Sequence, residues 1–328
     1  WHFLILLIAF CSCGNSEKDA GDNLPVEIDF YAAEKKRIYM DELFDKIEVI
    51  PLETTPDCLL QDYPWIAGIT DGNVLMKNDF VGACLFSRKE GRFIHNVGKK
   101  GQGPDEYILV GGTFCKEKNL MYANRGNTWI GINIETNKVE ERVKKPYFTN
   151  LKIAGGVDNP YRLNDSLYMG YINNITGDIK YKIAVFNRNG EAVHLYPNHL
   201  LYPKKNQNEF IYVPGIFYRY KKKLCFYSGI VMDTIYKIKD TYLQARYAFH
   251  FNKKGFPYEN MDSQDFSILD YTTLRRFMEY DNKLLFTYRA GSFDEGVGML
   301  PVIGGLLSGW TLWKSMKGQS MFLKTCEV

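Results

Sequence analysis

The sequence lacks the common signatures of motif-borne chemistry. It has no HExxH pair, no GxSxG elbow and no GxxxxGK[ST] loop, so zinc proteolysis, serine hydrolysis and P-loop phosphate transfer have no support in the local sequence. No extended lysine-arginine block is present, and 41 basic against 38 acidic residues leave a formal charge of only +3. That balance gives no nucleic-acid footprint. The seven cysteines (11, 13, 58, 84, 115, 225 and 326) include no CxxC pair and no regular spacing, which argues against a zinc site or a disulfide scaffold. Long helical patterns are missing too. Only MDELFDKI (40–47) and YTTLRRFMEY (271–280) approach one, whereas a doubly wound α/β fold needs helices of about ten residues or more between its strands.

What is abundant is aromatic. With 23 tyrosines, 21 phenylalanines and 45% apolar residues in 328, the chain can bury a large core and favours strands, because aromatic rings fit a pleated, half-buried surface.

The N-terminus differs from the rest. Phe3 to Phe10 is a continuous apolar run, too short for a stable membrane span but of the length of a secretory h-region. Small Ser12 precedes Cys13, and the polar, acidic stretch SEKDAGD follows. This arrangement resembles a bacterial lipobox, which implies Cys13 as the lipidated residue and a membrane attachment through its lipid. Residues 1–13 are therefore read as a lipoprotein signal-like segment and 14–40 as a tether and lead-in.

A repeating unit occupies the region 41–295. Leucine-bearing strands are expected at NVLMKN (73–78), NLMYAN (119–124), SLYMGY (166–171), KLCFYS (223–228) and KLLFTY (283–288), their leucines 45, 47, 57 and 60 residues apart. A second strand follows the first four, at GACLFS (82–87), WIGINI (129–134), KIAVFN (182–187) and DTIYKI (233–238). Turn-rich segments such as RKEGR and NRNGE then lead to outer strands. Such spacings suit four-stranded propeller blades.

Gly98, Gly101, Gly103, Pro104 and Tyr107, followed by Gly112, NLMYAN and WIGINI, resemble the NHL-type repeat. Over about residues 25–290 the whole arrangement resembles the six-bladed β-propeller lipoproteins of Bacteroidetes. The resemblance implies an all-β, six-bladed propeller of four-stranded antiparallel blades, exported to the cell envelope as an outer-membrane lipoprotein. IEVIPLE (47–53) is expected as a closing strand. The last blade is expected to be diverged or incomplete, because residues 296–313 form an uncharged run with five glycines and a proline. The C-terminus, 296–328, is thus a last blade, an altered sequence or, by length, a marginal span.

In a propeller, connections between outer and next inner strand share a face with those between the second and third strands of each blade. GKKGQGPDEY (98–107) is the first kind. Its glycines either form an anion-binding backbone nest flanked by Lys99 and Lys100, or allow a tight turn in which Asp105 or Glu106 accepts the loop N–H groups. The second kind begins at Asn78 and Asp79, Asn124 and Arg125, Asn173 and Asn174, Ser228, and Arg289. The candidate ligand-binding residues on this face are Asn78, Asp79, Lys99, Lys100, Gln102, Asn124, Arg125, Asn173 and Arg289, against the plain alternative that they satisfy turn backbone.

No catalytic or metal-ligating set is assigned, and His95, His194, His199 and His250 do not cluster in sequence. The expected function is a ligand-binding or protein-interaction scaffold, its partner an envelope protein or a carbohydrate, with no cofactor and no nucleic acid. The alternative is a propeller hydrolase or lyase acting on carbohydrate or lactone, with calcium held by Asp79, Asn124 and Asn173 as oxygen ligands.

Overall fold

A computed structural model describes residues 24–314 apart from 33, 36–38, 40–43, 61–63, 79–81, 110–112, 149–155, 204–212, 214, 229–231, 259–260, 262–269, 281–282, 292–293, 304–305 and 308–310. The regular secondary structure of the described residues is almost all strand. Their helices are single 3-10 turns such as Phe30–Ala32 and Asn252–Lys254.

Two short strands, β1 (Val26–Asp29) and β2 (Glu34–Lys35), precede a series of antiparallel meanders. The first comprises β3 (Trp65–Ile69), β4 (Asn73–Asn78), β5 (Gly82–Ser87) and β6 (Phe93–Asn96). The second comprises β7 (Phe114–Cys115), β8 (Leu120–Arg125), β9 (Thr128–Asn133) and β10 (Val139–Lys144). The third holds β11 (Val157–Arg162), β12 (Leu167–Ile172), β13 (Tyr181–Asn187) and β14 (Ala192–Pro197). The fourth holds β15 (Gly215–Tyr220), β16 (Lys223–Ser228), β17 (Thr234–Ile238) and β18 (Leu243–His250), with β1 added in parallel to β18.

These small sheets form a propeller-like ring, but the count of six four-stranded blades is not met. The described residues give four regular blades and a fifth sheet of different make-up, ordered β19 (Thr272–Tyr280), β20 (Lys283–Ala290), β21 (Asp294–Ile303), β23 (Thr311–Lys314) and β2, with β22 (Leu306–Leu307) on β21. The glycine-rich run is consumed here. β21 pairs with β20 from Asp294 opposite Ala290 to Pro301 opposite Lys283, so this part of 296–313 is sheet and not helix. No helix among the described residues is long and apolar enough to cross a membrane. YTTLRRFMEY, one of the two short stretches that approach a helical pattern, holds strand β19, which pairs with β20.

The expected closing strand at 47–53 is also corrected. These residues form no strand; Ile47 and Val49 are exposed, and Pro51 has no N–H to give a ladder. Instead β1 and β2, within the stretch taken as lead-in, extend the fourth and fifth sheets. The chain then continues past Tyr280, on which Phe44 stacks at 6.1 Å, to the first sheet, where Glu53 N–H donates to Gly91 O at 2.9 Å.

The core lies between sheets, and the sequence alternation shows how. On β13, Ile183 and Val185 face the cluster shared with the fourth and fifth sheets, while Ala184 and Phe186 face the cluster shared with the second. On β5, Ala83 and Leu85 pack toward the second sheet, whereas Cys84 and Phe86 pack under Leu52, Cys58 and Leu60. Both faces of these strands are buried, which is why they read as continuous apolar runs. Each fully buried ring, such as Phe86, Phe186 or Phe226, contributes about 1.5–3 kcal/mol relative to exposure.

Candidate functional site

The loop 98–107 is tied down along the second sheet. Gly98 N–H donates to Asn137 Oδ1 at 2.6 Å, Arg142 to Pro104 O at 3.0 Å and to the Asp105 carboxylate, and Arg125 to Gly103 O at 3.0 Å and Gln102 O at 2.8 Å. Its nest is filled from within. Glu106 Oε2 accepts the Gly103 N–H at 2.8 Å while Glu106 Oε1 pairs with Lys99 Nζ at 2.8 Å. The Lys99 hydrogen bond, then the loop amides, lower the Glu106 pKa. A Cβ on Gly101 would stand 2.0 Å from Glu106 Oε2, so glycine is required for the carboxylate to approach. Of the two readings of this loop, the turn with its own acid describes the geometry.

Two other named residues meet this loop. Arg125, held on the loop carbonyls, and Asn124 meet the connection directly, since Ile108 N–H donates to Asn124 O at 2.8 Å. Gln102 is exposed and contributes its carbonyl to Arg125. Lys100 bridges to Tyr107 through its backbone. Asn124 Oδ1 accepts from Lys145 Nζ at 2.9 Å, and that ammonium lies 5.2 Å from the Trp129 ring centroid. Burial lowers the Lys145 pKa, with Asp158 opposing. A calcium ligand role for Asn124 would have to displace this ammonium. Asn78 ends β4 opposite Gly82 and Arg289 lies on β20 opposite Thr273 and Glu295; Asp79, like Cys13 and the signal-like segment, lies outside the described residues.

Between the third and fourth sheets lies a buried polar patch. Asn173 and Asn174 follow β12, and both are buried. Asn174 is fully engaged: its Nδ2 donates to Gly177 O and Leu200 O at 3.1 Å each, and its Oδ1 accepts the Ile179 N–H at 3.0 Å. The Tyr202 hydroxyl donates to Asn174 O at 2.6 Å, and the Tyr258 ring packs edge-on to Tyr202. Asn173 Nδ2, by contrast, is buried and makes no hydrogen bond among the described residues. Ser228, 1% exposed at the end of β16, has no hydrogen bond of ordinary length either. It stands beside the Tyr171 phenol, whose pKa burial raises and Ser228 partly restrains. A buried donor left open costs about 1–3 kcal/mol, and such groups call for an explanation. Sequence reading found Asn173 by topology. It named Ser228 only as a loop start, and Tyr171, inside an apolar strand, carried no local signal.

Two buried carboxylates escaped sequence reading altogether. Glu141 on β10 accepts from the Tyr122 hydroxyl, from Tyr168 at 2.6 Å and from Arg188 Nη2 at 2.7 Å, joining the second sheet to the third. Glu279 on β19 accepts from Tyr218 at 2.7 Å, Tyr247 at 3.0 Å and two nitrogens of Arg246, Nε and Nη2, joining the fourth sheet to the fifth. Burial, followed by the adjacent carboxylate, drives the Tyr168 pKa up to about 12 and raises those of Tyr122, Tyr218 and Tyr247. Every lone pair of consequence is used inward, as befits a fastening between sheets.

The fold and the patch define an all-β, propeller-like protein with a polar rim. The model of a family described as a domain of unknown function (DUF4934) matches residues 25–299. The chain belongs to that family. No curated protein matches the sequence. Among solved structures it is similar to the computationally designed Ika8 protein, at 8% identity and a TM-score of 0.36, over 74% of this chain and 60% of that one. It is also similar to dihydro-heme d1 dehydrogenase NirN in complex with DHE, at 9% identity and a TM-score of 0.38, over 74% of this chain and 55% of that one. At those scores neither likeness bears on function.

Proposed function

We propose that the protein is a binding propeller of the cell envelope, exported and held to a membrane by a lipid on Cys13, as in the Bacteroidetes lipoproteins its repeats resemble. The ligand sits on the rim between the third and fourth sheets. The observation that carries this reading is the pair of buried polar atoms without a hydrogen bond of ordinary length, Asn173 Nδ2 just after β12 and Ser228 Oγ at the end of β16, with the phenol of Tyr171 beside Ser228. Together they offer a donor, a hydroxyl that donates or accepts, and aromatic surface, with Lys145 and Asp158 balancing each other in charge nearby. That chemistry suits a neutral, hydrogen-bonding ligand such as a carbohydrate or a stretch of peptide backbone more than a strongly charged one. Binding of the full-length protein to glycan and peptide arrays tests the ligand; absence of any hit counts against the site. Metabolic labelling with a fatty acid tests the anchor. Cys13→Ser should abolish labelling and release the protein from membranes, and continued labelling would contradict the anchor without touching the binding site.

A further inference from the structure

Lys182 is the second residue of β13 and is 5% exposed. A register shift between Tyr181 and Ile183 against β14, where Tyr181 faces Pro197 and Ile183 faces Tyr196, makes Lys182 the extra residue of a β-bulge. Strand alternation would send it the way of Ala184, toward the second sheet. The bulge re-aims it toward the fourth sheet, as bulges do. There its Nζ lies 3.9 Å from the Met232 thioether and 5.8 Å from the Tyr236 ring centroid. A thioether is a weak acceptor, and 5.8 Å is near the outer limit of a cation–π contact. Among the described residues, Asp233 acts on Lys182 through space and forms no salt bridge with it. The amine is thus held where its ammonium form is poorly solvated. Desolvation lowers its pKa to about 8, with Asp233 opposing.

We propose that Lys182 is a reactive amine that captures small carbonyl compounds as an imine at the interface between the third and fourth sheets. The neutral amine attacks the carbonyl carbon to give a carbinolamine. Loss of water then forms the C=N bond, so one aldehyde and one amine yield one imine and one water, with no change of oxidation state. The product is uncharged at nitrogen when unprotonated, which suits surroundings of sulfur and aromatic carbon better than the ammonium it replaces. This site is independent of the Asn173 and Ser228 rim, and its test does not depend on any ligand found there.

The experiment treats the full-length protein with propionaldehyde and cyanoborohydride, which fixes imines as secondary amines, and reads each lysine by peptide mass mapping. Exposed Lys89 and Lys138 serve as internal references. At pH 7 an ordinary lysine near pKa 10.4 is neutral on the order of a hundredfold less often than one near 8. Lys182 should therefore be alkylated at least about tenfold faster than the references after allowance for restricted access, an advantage that shrinks toward pH 10. A rate at pH 7 equal to or below that of Lys89 and Lys138 would overturn the proposal, as would an advantage unchanged at pH 10. The Lys182→Met protein, if it keeps the wild-type circular dichroism spectrum, should lose this fast phase and retain the slow ones; a fast phase that persists would equally overturn it.

Discussion

Arg246 grips the carboxylate of Glu279 with two nitrogens, Nη2 to Oε2 at 2.6 Å and Nε to Oε1 at 3.2 Å, across the boundary between the fourth and fifth sheets. The Glu279 side chain is 2% exposed and that of Arg246 14%. Such a pair is costly to break from one side, because the remaining charge stays buried.

Glu279→Gln should therefore destabilise the protein by about 3–5 kcal/mol, measured by urea unfolding. Replacing both partners, Glu279→Leu with Arg246→Met, should recover a substantial part of that loss. A single variant as stable as the wild type would show that the pair does not fasten the two sheets.

The phenols on Glu141 and Glu279 set an alkaline limit. A phenol whose folded pKa is raised holds its proton more tightly in the native state, so its contribution is complete below the unfolded value of about 10. For Tyr168 it is lost as pH rises through about 12. Absorbance at 295 nm should show a tyrosine group that ionises only above pH 11 and together with unfolding, and Tyr168→Phe should reduce its amplitude.

Glu106 and Lys99 shift in opposite directions, the acid down and the amine up. The acid's contribution is present above its unfolded pKa of about 4.3 and is lost as pH falls through the lower folded value. The amine's is complete below about 10.4 and lost as pH rises through its higher folded value. The loop should hold one structure between these limits. The Gly103 amide resonance, which reports the bond to Glu106, should titrate at a pH below that of an ordinary glutamate, and Glu106→Gln should remove that titration.

Gly91 anchors the N-terminal segment to the first sheet. Its φ is +71°, and a Cβ there would lie 1.9 Å from Pro51 O. Gly91→Ala should cost more than about 1 kcal/mol and should expose residues 50–53 to proteolysis before the sheets unfold. Protection equal to wild type at those residues would contradict this anchoring.

Much of the ring was legible in the sequence, because each second and third strand carries its own apolar run. NVLMKN and GACLFS coincide with β4 and β5, and KLCFYS with β16. Topology also led to the contact of Arg125 and Asn124 with the loop at 98–107. What stayed hidden depends on contacts distant in sequence. Pairing of β1 with β18 joins Val26 to Tyr247, and nothing local in VEID announces it. IEVIPLE looked more strand-like, yet its Pro51 and its exposed Ile47 and Val49 keep it out of the sheets. Glu141, next to Glu140, and Glu279 sit on strands as ordinary acids, and only the fold supplies the tyrosines and arginines that make them buried fastenings. Lys182 was hidden for a similar reason, since a bulge is a property of two strands in register.

The most direct test of the rim is the affinity of an array-identified ligand for three variants. Asn173→Ala and Ser228→Ala should each weaken binding by about tenfold or more, in keeping with about 1–3 kcal/mol for a lost buried hydrogen bond. Lys99→Ala, on a lysine committed to Glu106, should leave the affinity unchanged. Unaltered affinity in both rim variants, or a loss confined to Lys99→Ala, would place the ligand elsewhere and contradict the binding site.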